Sequence, residues 1–278
     1  MPQYSEESLA ATALKIRQLI ITMLAHAKSG HSGGALGMAD VFTTLYFAVA
    51  KHDSHNPSWE DRDRILLSNG HINPVLYATL AEAGYFAKQE LFTLRQLHSR
   101  LQGHPHLGSL PGVENTSGPL AQGLSQACGV AYSFKMDKKD NQVFCLMSDG
   151  ELEEGQNWEA FMFAGKYKLA KLTAVIDRND IQIDGTTADV MPLEPLRQKL
   201  ESFNWHVIDV DGHDFKSLIH AFHAAAQTDF PTAVICHTIP GKGVDFMENK
   251  YEWHGKPPTP EQAEDALAQL NKGSHSNV

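Results

Sequence analysis

Four carboxylates, Asp149, Glu151, Glu153 and Glu154, fall within six residues, directly after the apolar run 143–147. An Asp-Gly turn needs one acidic side chain, so this density calls for a counterion or marks a solvated helix start. Asn179 follows 30 residues after Asp149, just past the next apolar run. In a βαβ unit two successive strand ends lie close together. A carboxylate and an amide oxygen placed there can share a hard cation with a backbone carbonyl. Mg2+ suits such a set, because it keeps water and phosphate oxygens as its remaining ligands. The helix that starts after Asp149 turns its N-terminus to the same spot, where an anion is favoured. Either residue alone is an ordinary turn former. The pair, with Gly150 beside Asp149, points to a metal-bound diphosphate.

Histidine is the second chemical signal, with 15 in 278 residues. His52 and His55 sit in a polar loop, and His220 and His223 in a helical pattern, so these four read as structural. His31, His71, His104 and His254 instead lie in the loops "SGHSGGALG", "SNGHINP", "QGHPHLG" and "EWHGKPP". Imidazole is the side chain whose unperturbed pKa suits proton transfer near neutral pH.

The elements must bring these loops together. Residues 5–28 read as an amphipathic helix with Leu9, Ala13, Ile16, Ile20, Met23 and Ala27 on one stripe. A Gly-rich turn at 29–37 leads to a second helix over 38–50. A short strand at 64–67 precedes SNGH, helices follow near 74–83 and 88–98, and a loop runs from 102 to 118. A long helix is expected over 119–136, with Pro119 in its first turn. Strands at 143–147, 172–176, 206–210 and 232–236 then alternate with helices at 155–169, 193–203 and 215–227. Continuous apolar strands alternating with helices mean an α/β fold: a doubly wound parallel sheet with helices on both faces. Ligands of such sheets bind beyond the carboxyl ends of the strands. The loops SNGH, SDGE, DRNDIQIDG and HTIPGKG all follow strands and so open on that one edge.

Composition sets the outer limits. Hydrophobic residues make up 42% and charged residues 20%, which suits a single domain over 1–278 with a flexible tail at about 272–278. The net charge of −10 leaves no basic stripe for nucleic acid. Cys128, Cys145 and Cys236 stand in apolar contexts without CxxC spacing, as buried thiols of a reducing compartment do. The N-terminus carries neither a basic segment nor an apolar signal-like one. A cytoplasmic protein without membrane association is expected.

The stretch "SDGELEEGQNWEAFMFAGKYKLAKLTAVIDRNDIQIDG" resembles the thiamine diphosphate signature along its whole length. Together with "GHSGGALGMAD", "DRILLSNGHINPVLYATLAEAGYF", "LQGHPHLGSLPGVENTSGPLAQGLSQACGVA" and "KGVDFMENKYEWHGKPP", it makes the chain similar to the transketolase family in its N-terminal, diphosphate-binding half, from about residue 10 to about 260. The resemblance implies thiamine diphosphate and a divalent ion, Mg2+ or else Ca2+ or Mn2+, as cofactors. It implies Asp149, Asn179 and the Ile181 carbonyl as metal ligands, and Gly150 at the diphosphate. Glu151 falls towards the aminopyrimidine side, and Gly118, Pro119 and Leu120 pass beside the cofactor. His71 and His254 match histidines at the diphosphate or reacting centre, while His31 and His104 match those lining the substrate channel. Glu154 matches a carboxylate between the two cofactor sites of a dimer. Ser148 stands where the family usually has Gly, and Asp180 where Gly or Asn is commoner.

What the resemblance implies is reversible transfer of a two-carbon ketol unit between sugar phosphates, with the thiazolium ring as electron sink. The family's activating Glu and its phosphate-gripping arginines lie on a second domain. The expectation is therefore the N-terminal subunit of a split transketolase, active only with a C-terminal, pyrimidine-binding partner, two copies of each chain together. Leu120, Leu124, Trp158, Phe161 and Phe163 cannot all face one sheet, so their helices are expected to present an apolar contact surface. Two other enzymes share the Asp149–Asn179 motif, a deoxyxylulose phosphate synthase and the α subunit of a 2-oxo acid dehydrogenase. A non-catalytic remnant of the fold is the third reading. The intact histidine loops favour transketolase.

Overall fold

The structure, a computed structural model, describes residues 5–273. Five parallel strands, β1 (Arg64–Leu67), β2 (Val143–Ser148), β3 (Leu172–Arg178), β6 (His206–Asp211) and β7 (Thr232–His237), form one sheet in the order β1-β2-β3-β7-β6. The hairpin β4 (Ile181–Gln182) and β5 (Gly185–Thr186) stands apart from it. The helices are α1 (Glu6–Ala27), α2 (Gly33–Gly37), α3 (Ala39–Thr44), α4 (Asn73–Glu82), α5 (Gln122–Met136), α6 (Gly155–Lys166), α7 (Thr187–Val190), α8 (Leu196–Ser202), α9 (Phe215–Ala225) and α10 (Pro260–Gly273).

Alternate residues of each strand feed two separate cores. Ile65, Leu67, Phe144, Leu146, Val175 and Val234 pack under α1, α3, α4, α9 and α10. Leu66, Val143, Cys145, Met147, Ile176 and Ile235 face α5, α6 and α8 on the other side. Strands buried on both faces have no polar alternation, which is why they read as unbroken apolar runs. All three cysteines are buried and free. By length and composition α1 is apolar enough to cross a bilayer, yet its stripe Leu9, Ala13, Ile16 and Ile20 is fully buried in the protein. Ser5 caps its first turn by accepting from the Ser8 amide at 3.2 Å.

Several expectations need correcting. The helix expected over 38–50 is two helices and a π-helical turn, Leu45–Val49, and its start moves back to Gly33 inside the predicted turn. Only a 3-10 segment, Lys88–Thr93, forms where a helix near 88–98 was expected. Helix α5 starts at Gln122, because Ala121 takes φ 68° and holds residues 119–121 in the loop. Helix α8 starts at Leu196 instead of residue 193, after Pro195. Leu124 and Phe161 do not face solvent: both are fully buried in the sheet core, and Trp158 packs against it. Leu120, Met162 and Phe163 remain exposed. Helix α10 carries no motif and was not anticipated. Of the tail expected at 272–278, residues 274–278 lie outside the described residues.

Candidate active site

The parallel register brings the chemistry-bearing loops side by side. Ser148 pairs with Asp177 across β2 and β3, and Asp177 with Cys236 across β3 and β7. A cavity of about 410 Å3 opens at that carboxyl edge. Of the residues singled out by sequence, its wall takes in His31, His71, His104, His254, Gly118, Leu120, Gly150, Glu151, Glu154, Asn179 and Ile181. Pro119 and Asp149 are not part of the wall. Pro119 is exposed to solvent, whereas Asp149 is fully buried.

Three histidines far apart in sequence form one cluster. The His71 and His254 ring centroids lie 5.0 Å apart, His31 and His71 5.1 Å, and His31 and His254 5.6 Å. The turn carrying His254 is tied down by Ser32 Oγ, which donates to the Lys256 carbonyl at 2.7 Å. Gly33 makes that close approach possible, since a Cβ there would stand 3.2 Å from the Trp253 carbonyl oxygen. His104 joins from the exposed side, against Gly118, where an added Cβ would meet its ring at 3.4 Å.

Burial drives the pKa of all four below the ordinary histidine value. His31 falls to about 4, through burial first and then the charges of His254, Arg95 and His104. His71 falls well below 6.5 by burial and by repulsion from His254, His31 and His104. His104 is lowered by burial and Arg95, and His254 by burial alone. The cluster is therefore neutral at pH 7. Its imidazoles can accept a proton or a hydrogen bond there without carrying a standing charge. His31 Nδ1 is buried with no partner in the protein, which leaves it for a ligand.

The carboxylates sit beneath. Asp149 Oδ2 accepts from Arg178 Nη1 at 2.9 Å and from the Asp180 amide at 2.7 Å, and Oδ1 from the Gly150 amide at 2.8 Å. Burial still pushes Asp149 up to about 6. Asn179 donates Nδ2 to Asp177 Oδ2 at 2.8 Å, and its Oδ1 accepts from the Ile181 amide at 3.1 Å. Asp177 is fully buried, borders the cavity and is pushed up to about 7 by burial. Among the described residues no group of three or more His, Cys, Asp or Glu side chains is placed to hold a metal. The candidate set here differs in kind: one carboxylate, one amide oxygen and one backbone carbonyl.

Glu151 has a second role that its motif did not reveal. Its carboxylate accepts from Ser68 Oγ, from the Ala121 amide at 2.6 Å and from the Ser148 amide at 3.4 Å. One buried side chain thus joins the loop after β1, the entry to α5 and the end of β2. Burial raises it to about 7. Glu154, by contrast, is exposed where the cavity meets the start of α6. Sequence reasoning missed Asp177, Arg178 and Gly34. Asp177 ends an apolar strand, and only the second acidic residue beside Asn179 hinted at it.

Residues 8–273 match the family described as transketolase, thiamine diphosphate binding domain. The chain belongs to the transketolase family. It is 41% identical to the 6-deoxy-6-sulfo-D-fructose transketolase subunit SqwG of Clostridium sp. strain MSTE9, over 92% of this chain and 94% of that protein. It is 39% identical to a subunit of the apulose-4-phosphate transketolase of Phocaeicola vulgatus, over 96% of this chain and 95% of that one. The transketolase structure from Campylobacter jejuni superposes with a TM-score of 0.91 at 33% identity, covering 97% of this chain and 43% of that one. The parallel sheet is thus the transketolase thiamine diphosphate-binding domain. The four histidine loops and the Asp149–Asn179 motif occupy its carboxyl edge.

Proposed function

We propose that the chain is the diphosphate-binding subunit of a two-chain transketolase, with thiamine diphosphate and Mg2+ (or Ca2+ or Mn2+) as cofactors. A C-terminal, pyrimidine-binding partner completes it, two copies of each chain forming the enzyme. The observation that carries this reading is co-linearity: the chain spans 94% and 95% of two proteins named as transketolase subunits. The cavity adds chemical support, since it collects the four histidines beside Gly150, Asn179 and Ile181.

The residues present fit the cofactors. Asp149, Glu151 and Asp177 are buried together at one strand edge, and all three have raised pKa values. Arg178 pairs with Asp149, but a cluster of this charge favours a further cation. Gly34, Gly118 and Gly150 line the cavity where side chains would intrude: an added Cβ would stand 2.9 Å from Ile72 at Gly34 and 3.0 Å from Gln182 at Gly150. Asp149, Asn179 and the Ile181 carbonyl would hold the metal, and the Gly150 backbone would approach the diphosphate. When bound, the thiamine ring supplies an electron sink for the two-carbon fragment left by cleavage beside a ketose carbonyl.

The chain's own residues bind, orient and move protons. His31, His71 and His254 present neutral nitrogens to the cavity. These can take a proton from a donor hydroxyl and return it to the acceptor's oxygen. His104, on the exposed side, can hydrogen-bond a sugar hydroxyl as it enters. Glu154 at the open face would lie between the two cofactor sites. The donor and acceptor are sugars or sugar phosphates, with pentose phosphates the default and sulfonated or branched sugars as alternatives. Co-expression with a candidate partner tests the reading, followed by a ketol-transfer assay over a panel of donors. Transfer is expected only with both chains present. A partnered complex that transfers no ketol unit from any donor would overturn it.

A further inference from the structure

Behind the cavity wall, hydrogen bonds run from the sheet edge into the α1/α3 core. Asn179 Nδ2 donates to Asp177 Oδ2 at 2.8 Å, and Thr238 Oγ1 donates to the other oxygen, Oδ1. The next backbone amide, Ile239 N–H, donates to His213 Nε2 at 2.8 Å. That bond makes Nε2 the acceptor and leaves Nδ1 as the donor to Asp40 Oδ2 at 2.7 Å. Arg17 then holds Asp40 with Nη1 at 3.0 Å and Nη2 at 2.6 Å. Asn179, Asp177, Thr238, Asp40 and Arg17 are each at most 9% exposed as residues.

We propose that Thr238 is a positioning residue for Asn179, acting through Asp177, with His213 and Asp40 anchoring the segment that presents it. The physical need is specific. An asparagine amide has two orientations of nearly equal shape, with oxygen and nitrogen exchanged. In its ionised form Asp177 offers only acceptors, so Oδ2 selects the NH2 side and leaves Oδ1 towards Ile181 and the cavity. Asp177 can do this only while its own rotation is fixed, and Thr238 occupies the oxygen that would otherwise be unpaired. Thr238 sits just beyond β7, where its own amide donates to the Arg178 carbonyl at 3.2 Å and the next amide donates to His213. The segment 238–241 is held to α2 as well, through Gly241 N–H on the Gly33 carbonyl at 2.9 Å. The relay thus connects three separate parts of the chain at one amide.

This inference rests on the reading of Asn179 as a metal ligand, and the test separates the two. Thiamine diphosphate binding to the full chain is titrated against Mg2+ by calorimetry for wild type, Thr238→Val, Thr238→Ser and Asn179→Ala. Outer partners of metal ligands typically change metal affinity by about 10–100-fold. Thr238→Val should raise the Mg2+ needed for half-saturation by that factor, and Thr238→Ser, which keeps the hydroxyl, should restore it. A second readout is independent of cofactor: hydrogen exchange of the Asn179 side-chain amide, followed by NMR, should accelerate in Thr238→Val. Thr238→Ala serves the same purpose if the valine variant does not fold. Wild-type exchange and Mg2+ dependence in the hydroxyl-free variant, or a serine variant as weak as valine, would overturn the positioning role. Wild-type binding in Asn179→Ala would instead remove the metal-ligand reading beneath it.

Discussion

Arg178 Nη1 lies 2.9 Å from Asp149 Oδ2, so the fully buried carboxylate already has one cationic partner from the neighbouring strand. The same guanidinium reaches Asp180 at 2.6 Å and Glu194 at 3.0 Å. One positive group therefore serves three carboxylates. Removing it strands a buried charge, which costs about 3–5 kcal/mol in comparable pairs. Arg178→Met should destabilise the protein by that order in urea unfolding. Adding Mg2+ and thiamine diphosphate should recover part of the loss, because the metal then balances Asp149. An equal loss with and without cofactor would break the link between this pair and the metal.

Asp149→Ala tests the metal directly. The remaining amide and carbonyl oxygens carry no formal charge, so the candidate set loses its one anionic ligand for the divalent ion that bridges to the diphosphate. Mg2+-dependent binding of thiamine diphosphate should disappear in calorimetry of the reconstituted complex. Unchanged affinity would sink the assignment of Asp149.

His104 and His254 approach the cavity from opposite loops, and their replacement reports on proton handling. His254→Ala and His104→Ala should each lower kcat by about 10²–10⁴ if the imidazole moves a proton in the transition state. A histidine that only orients substrate would raise KM and leave kcat in place. Wild-type values of both parameters would make these side chains structural.

The depressed pKa of His31 predicts an acid-side cost to stability. A base with a lowered folded pKa takes up its proton more readily when unfolded, so stability falls as pH falls. The loss begins near the ordinary value of 6.5 and is complete below about 4. A drop of that size is worth about 3 kcal/mol. The buried carboxylates shift stability the other way, but they are common to wild type and His31→Asn and drop out of the difference. Denaturation curves at pH 7 and pH 4.5 should show His31→Asn gaining on wild type at the lower pH. No relative gain would mean that His31 is solvated.

On the proposed two-chain reading the chain alone should be catalytically silent, because the partner would bring the activating carboxylate and the phosphate-binding arginines. Weak cofactor binding should persist, and addition of the partner should restore ketol transfer. Exposed Phe163 packs against Tyr132 of α5 with ring centroids 5.9 Å apart, and its neighbour Met162 is exposed as well. Self-association of the isolated chain is expected through that face. Light scattering and an assay with a ketose phosphate donor decide both points: robust turnover without a partner, or a strict monomer, would contradict them.

The legible parts of the molecule were those with a one-dimensional signature. Strands buried on both faces are unbroken apolar runs, so β2, β3 and β7 were placed to within one or two residues at their ends; β6, an edge strand with alternating burial, was placed as closely by its Val207, Ile208 and Val210. Loops that follow strands must share an edge, which brought His71, Asp149 and Asn179 together from the sequence alone. Tertiary choices were not legible. Ala121 adopts a left-handed conformation with its amide on Glu151, and no local propensity encodes that bond. Phe161 and Phe163 look alike in sequence, yet helical phase buries the first and exposes the second. Nothing in the local stretch DGHD marks His213. Its partners Asp40 and Ile239 lie far away in the chain.

The knot around Glu151 has a mechanical meaning. Ser68, Ala121 and Ser148 belong to three different connections, yet all terminate on one carboxylate. Such connections cannot loosen one at a time, since releasing any of them leaves part of the same buried group unpaired. In amide exchange they should open together, as one cooperative patch more resistant than loops of their length usually are. A cup whose rim moves as a single piece can close around a cofactor without first having to order its walls.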